Sequence, residues 1–173
     1  MGFKRGQVWV ETVIYTLIGL AVIGLVLAGA MPKINQKKDE LAIGQSIEIL
    51  TEMDNIINEV QRAPGNRLSI SINIGKGYFV IDAEKDSLSW TIDSSFPYSE
   101  IGLWTPVGGL DVLTTGEEKP YSVEIKSEYS FDIRYNGEAV GQKRLDVAPT
   151  PYRIMIENSG KEDGKIVINV YEV

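Results

Sequence analysis

From Thr12 to Met31 the chain runs for 20 residues without a charge. At about 1.5 Å per residue, a helix of that length spans roughly 30 Å, the thickness of a bilayer's hydrocarbon core. A cleaved secretory signal carries an apolar region of only about 7–15 residues, followed by a small-residue cleavage site. The run is too long for that, and it reads as a transmembrane helix.

Pro32 follows directly, and it either ends this helix or kinks a longer one by removing a backbone donor. Beyond it Ile34, Leu41, Ile43, Ile47, Leu50, Met53, Ile57 and Val60 recur mostly at spacings of three, four and seven. That spacing predicts an amphipathic helix within residues 32–63, with Lys37, Lys38, Asp39, Glu40, Glu48 and Glu52 mostly off its apolar stripe. "APGN" (Ala63 to Asn66) stops it.

After Asn66 the period changes to two. "RLSISINI" alternates strictly, and "GYFVID", "SLSWTID", "YSVEIK", "SFDIRY", "YRIMIEN" and "KIVINVYEV" repeat the signature. "GKG" (75–77), "EKD" (84–86), "YNGE" (135–138) and "SGKEDG" (159–164) read as hairpin connections. A further strand is expected around Leu110 to Thr114. Phe96, Tyr98 and Trp104, in the irregular segment before it, are expected to fill the core rather than form a sugar-binding surface. The fold class is therefore α+β: a long amino-terminal helix, transmembrane and then amphipathic, followed by an all-β sandwich-like head over residues 67–173.

Charge and residue usage narrow the function. With 17 basic against 24 acidic side chains, net −7, the surface repels nucleic-acid phosphates, and no basic block with interleaved aromatics offsets this. The absence of Cys and His excludes thiolate nucleophiles, imidazole bases, disulfides and the usual zinc sites. No Gly-rich phosphate loop or Gly-x-Ser-x-Gly is present. "KEDG" (161–164) and "EKD" do not space their carboxylates as a calcium loop does. No catalytic residue, cofactor or metal is expected, and the chain reads as a non-enzyme.

One residue at the mouth of the apolar run is out of place. Glu11 is a carboxylate at the edge of hydrocarbon, four residues after Gln7 in "KRGQVWVE". Lys4, Arg5, Gly6, Gln7, Glu11 and the apolar helix together resemble the amino terminus of a type IV pilin-like protein, the archaeal kind with a class III signal peptide. The resemblance implies a leader of residues 1–6, cut by a prepilin peptidase between Gly6 and Gln7, and a filament-core helix over residues 7–31. It also implies a surface filament built with an assembly ATPase and a membrane platform. Glu11 becomes the fifth residue of the mature chain, where pilin-like proteins often carry glutamate. The layout of helix and β head is similar throughout, although no Asn begins the Asn-x-Ser/Thr sequon common in such filaments.

In a filament core the Glu11 carboxylate of one copy can pair with the new Gln7 amine of its neighbour. Leaving either charge unpaired in an apolar core costs on the order of 3–5 kcal/mol, so the pair would fix axial register. The alternative is that Glu11 simply suits the positive end of a membrane helix dipole. Gly24 and Ala28 form a small-x-x-x-small surface that allows close helix contact, although glycine is also ordinary in membrane helices. Counting flanking charges gives Lys4 and Arg5 before the run and Lys33, Lys37 and Lys38 after it, which slightly favours a cytoplasmic head. The resemblance instead puts Lys4 and Arg5 inside and the β head outside the cell. The second functional expectation is a single-pass, membrane-anchored extracellular binding or accessory protein, or a minor pilin.

Overall fold

The computed structural model describes the backbone of residues 4–173 and the side chains of residues 9–173. Among these residues the chain forms one long helix, α1 (Lys4–Val60), and ten strands in two sheets, an α+β fold with a β-sandwich-like head. It divides into two compact units, the first ending at Lys38 and the second spanning Asp39–Val173.

Pro32 stands inside α1 and does not end it. It withholds one donor, from the Ala28 carbonyl, while strong helix formers on both sides carry the backbone through. The helix stops at Val60, just ahead of Ala63, whose position before Pro64 disfavours helical dihedrals.

The strands are β1 (Arg67–Ile72), β2 (Tyr78–Asp82), β3 (Ser87–Ser94), β4 (Trp104–Val107), β5 (Leu110–Thr115), β6 (Tyr121–Glu128), β7 (Asp132–Tyr135), β8 (Gln142–Asp146), β9 (Tyr152–Glu162) and β10 (Lys165–Glu172). One sheet has the order β1-β9-β10-β7 and the other β4-β5-β6-β3-β2-β8. Pairing is antiparallel except for β10 with β7. Period-two alternation sends Phe79, Ile81, Leu88, Trp90, Ile92, Val123 and Ile125 inward from the second sheet, and Ile70, Ile72, Ile154, Ile156, Ile168 and Val170 inward from the first. Ile43, Leu50, Met53, Ile57 and Val60 of the helix join the same buried cluster, so the Asp39–Val60 stretch is part of the head.

Several connections differ from the sequence expectation. "EKD" does close the β2–β3 hairpin, and Asp163-Gly164 turns β9 into β10 with φ of 49° and 85°, the geometry two-residue hairpins favour. "GKG", however, links strands of different sheets and is a crossover rather than a hairpin; "YNGE" does make a two-residue turn, closed by reciprocal Tyr135–Glu138 backbone bonds of 3.2 and 3.0 Å, but the chain then leaves for β8 in the other sheet. β4 escaped notice because it contains Pro106, which an edge strand tolerates, and β8 because only Leu145 along it is buried. Phe96 and Tyr98 pack against the core as expected, but Trp104 does not. It is 43% exposed, with the Lys126 ammonium 4.5 Å from its ring centroid, a cation–π contact on the outside of the sheet.

Candidate assembly surface

The amino-terminal part of α1 is apolar and long enough to cross a membrane. Trp9, Ile14, Leu17, Val22, Leu25 and Met31, pointing in different directions around the helix, are all exposed, Leu25 by 75%. A helix apolar on every side has no solvent-facing surface of its own; it needs lipid or other helices around it.

Glu11 is exposed on this helix. The nearest described cation along the helix is Lys33, 22 residues on, or about 33 Å away. Along the described part of this helix Glu11 therefore has no cation within reach. Gly24 has open space where a Cβ would stand, and Ala28 is exposed one turn later, so among the described residues nothing covers Gly24. Lys4, Arg5, Gly6 and Gln7 lie in the first turns of α1. Their side chains, and with them the expected leader and cleavage site, fall outside the described residues.

Three polar ties that sequence reading missed hold the helix within the head. Asp39, 6% exposed, accepts bonds from the Lys76 ammonium and from the Ser95 backbone N–H at 2.8 Å. Burial raises the Asp39 carboxyl, but the bonds from Lys76 and Ser95 and the lysine charge outweigh it and hold it below the ordinary carboxylate value. Asp54 accepts from the Ser127 hydroxyl at 3.0 and 3.1 Å and from the Tyr129 hydroxyl. Burial lifts the Asp54 carboxyl despite those two donors. Burial, followed by the Asp54 charge, also raises the Tyr129 phenol, which stays a donor. At the helix end the Asn158 side chain donates to the carbonyls of Val60 at 3.0 Å and Gln61 at 3.2 Å.

The two carboxylates have opposite linkage. Asp39, lowered on folding, stabilises above its unfolded pKa and loses that contribution as pH falls through the lowered folded value. Asp54, raised on folding, favours the fold most below its unfolded pKa and costs stability as pH rises through the raised one. Asp54→Asn keeps an acceptor for Ser127 and Tyr129 and removes the charge. Its stability at neutral pH should equal or exceed wild type, by no more than about 1 kcal/mol because solvent screens the half-buried group. Thermal melts between pH 3 and 8 should show the wild-type margin over the variant shrinking as pH rises, and a margin growing with pH would refute this assignment.

Fold and surface together define a class: an α+β protein with one helix able to cross a membrane and a β-sandwich-like head gripping that helix's second half. Set against protein-family models, curated proteins and solved structures, the chain matches none of them.

Proposed function

We propose that the chain is a structural subunit of an archaeal type IV pilus-like surface filament. It is inserted with its head outside the cell, cut between Gly6 and Gln7, and polymerised through its amino-terminal helix. The observation that supports this is a helix apolar on all sides, attached to a head that completes its core without it. Such a helix exchanges lipid for the helices of other copies at little cost, because both environments are apolar. Gly24 and Ala28 offer a close-approach surface, and cleavage at Gln7 would create an amine for the Glu11 carboxylate to pair with.

Amino-terminal mass spectrometry of the cellular protein tests processing. Chains beginning at Gln7 are expected, and chains beginning at Met1 in cells with active prepilin peptidase would overturn the reading. Shearing tests polymerisation, since a filament subunit is released with the sheared material while a membrane-anchored binding protein stays with the cells. Glu11→Gln is expected to leave cleavage intact and to lower filament yield by a factor of about 100 or more, the cost of an unpaired amine in an apolar core. Normal yield from this variant would remove Glu11 from the assembly step.

A further inference from the structure

Asn136-Gly137 is the one asparagine–glycine pair in the sequence, and both residues are exposed. They form the turn that follows β7, with φ of 51° and 83°, the left-handed pair this dipeptide adopts readily. An asparagine followed by glycine is open to attack from its own chain, because glycine has no side chain to shield the backbone nitrogen. The Gly137 nitrogen bonds to Asn136 Cγ, its proton passes to Nδ2, and the Cγ–Nδ2 bond breaks to release ammonia. Water then opens the five-membered imide at either carbonyl. Opening at Cγ leaves aspartate, and opening at the main-chain carbonyl leaves isoaspartate, with the backbone routed through the side chain. In sum, one amide and one water become one carboxyl group and one ammonia.

The fold holds that nitrogen back. The Gly137 N–H donates to Asn169 Oδ1 at 2.7 Å, and Asn169 stands on β10 opposite Arg134 of β7. An amide nitrogen attacks only after giving up its proton, and a short bond to a carbonyl oxygen keeps the proton in place. The Asn136 N–H donates to the Val170 carbonyl at 3.2 Å, and the Tyr135–Glu138 bonds close the turn. Bringing the nitrogen onto Cγ means rotating the Asn136-Gly137 peptide, which these bonds oppose.

We infer that Asn136 is a latent self-modification site, a deamidation closed in the folded head by Asn169 acting as a positioning residue. The place where it opens is the weakest-paired edge of its sheet. β7 is a four-residue edge strand, and its pairing with β10 is the parallel one. Short edges open locally at less cost than the core. A head in which β7 has lifted from β10 is then marked permanently. It carries a new negative charge on an exposed turn, and in the isoaspartate form the longer backbone no longer fits a two-residue turn. The inference does not depend on the chain forming a filament.

The test is peptide mass spectrometry of the full chain in detergent, after incubation in mildly alkaline buffer. The segment Tyr135–Lys143, released by cutting after Arg134 and Lys143, carries the pair. Chain unfolded in urea should convert Asn136 at least about tenfold faster than folded wild type. In the folded chain, Asn169→Ala should convert faster than wild type by a factor of about 5–10, the weight of the lost Gly137 bond. Asn169→Asp, whose carboxylate still accepts from Gly137, should convert no faster than wild type. Both variants lose the Asn169 amide, so a merely structural role would not separate them. Rates are compared below every melting temperature, which keeps global unfolding out of the comparison. Retention of Asn136 in the unfolded chain would overturn the modification. Equal rates in folded and unfolded wild type, no acceleration in Asn169→Ala, or equal acceleration in Asn169→Asp would overturn the guard.

Discussion

Replacing Gly77 by alanine is expected to destabilise the folded head by about 4 kcal/mol or more, while Gly75→Ala, in the same crossover, leaves it intact. Gly77 joins the first sheet's β1 to the second sheet's β2 and lies against β3 just beyond the Tyr78–Thr91 pair. Its φ is +78°, and a Cβ there would stand 2.0 Å from the Thr91 carbonyl oxygen and 3.0 Å from Ile92 Cγ1. The left-handed conformation alone costs an L-residue roughly 1–2 kcal/mol. The clash is with backbone inside a sheet, so relief requires β2 and β3 to part. Parting them strains the neighbouring Lys76 carbonyl, which accepts the Trp90 indole N–H at 3.1 Å, and the Phe79–Trp90 ring contact at 5.8 Å. The total is on the order of 4 kcal/mol or more, against a typical domain stability of about 5–15 kcal/mol. Gly75 has a φ outside the left-handed range and nothing within 4 Å of its would-be Cβ. In detergent-solubilised full chain, tryptophan fluorescence, in which Trp90 is the buried ring, should report a much lower melting temperature for Gly77→Ala and a wild-type melt for Gly75→Ala. A wild-type melt from both would show that the crossover yields more easily than its packing implies.

Most of the architecture was legible because it rests on two strong periodicities. A 20-residue uncharged run and strict alternation from Leu68 to Ile74 each admit few folds. The helix stripe is less clear. Hydrophobicity groups Ile34 and Leu41 with Ile43 and Leu50, yet Ile34 is 45% exposed and Leu41 more so. The buried face is Asp39, Ile43, Ser46, Leu50, Met53, Ile57 and Val60, with strict steps of four and three. Two polar residues, Asp39 and Ser46, lie on that series, and hydrophobicity alone favours apolar residues on the other side over them. Asp39 could have been flagged as a buried carboxylate from its phase, but its partners Lys76 and Ser95 are distant in sequence and no local pattern names them. Ser127, Tyr129 and Asn158 were invisible for the same reason. The placement of Glu11, Gly24 and Ala28 is local: they sit on one helix, where spacing alone determines position.

Asn158→Asp is expected to destabilise the head by about 3–5 kcal/mol near neutral pH, more than Asn158→Ala, and to recover much of the difference on acidification. Asn158 is 2% exposed, and its amide is fully used. Nδ2 donates to the carbonyls of Val60 and Gln61, while Oδ1 accepts from the Gly160 N–H at 2.9 Å beside a bulge in the β9–β10 ladder. These are orphan carbonyls of the last helical turn, and α1 has no basic residue there to cover them. Aspartate turns the double donor into an acceptor facing two carbonyls at the negative end of a helix. It escapes by keeping a proton, so its folded pKa is raised above the unfolded value of about 3.9. The sign follows: the electrostatic penalty is absent below the unfolded pKa, grows as pH rises through the raised folded pKa, and is constant above it. Alanine loses the same bonds without adding a charge, so its deficit does not vary with pH. Melts of both variants should converge toward pH 4 and separate toward pH 7. Parallel curves would mean that water reaches the helix end and that Asn158 is not its cap.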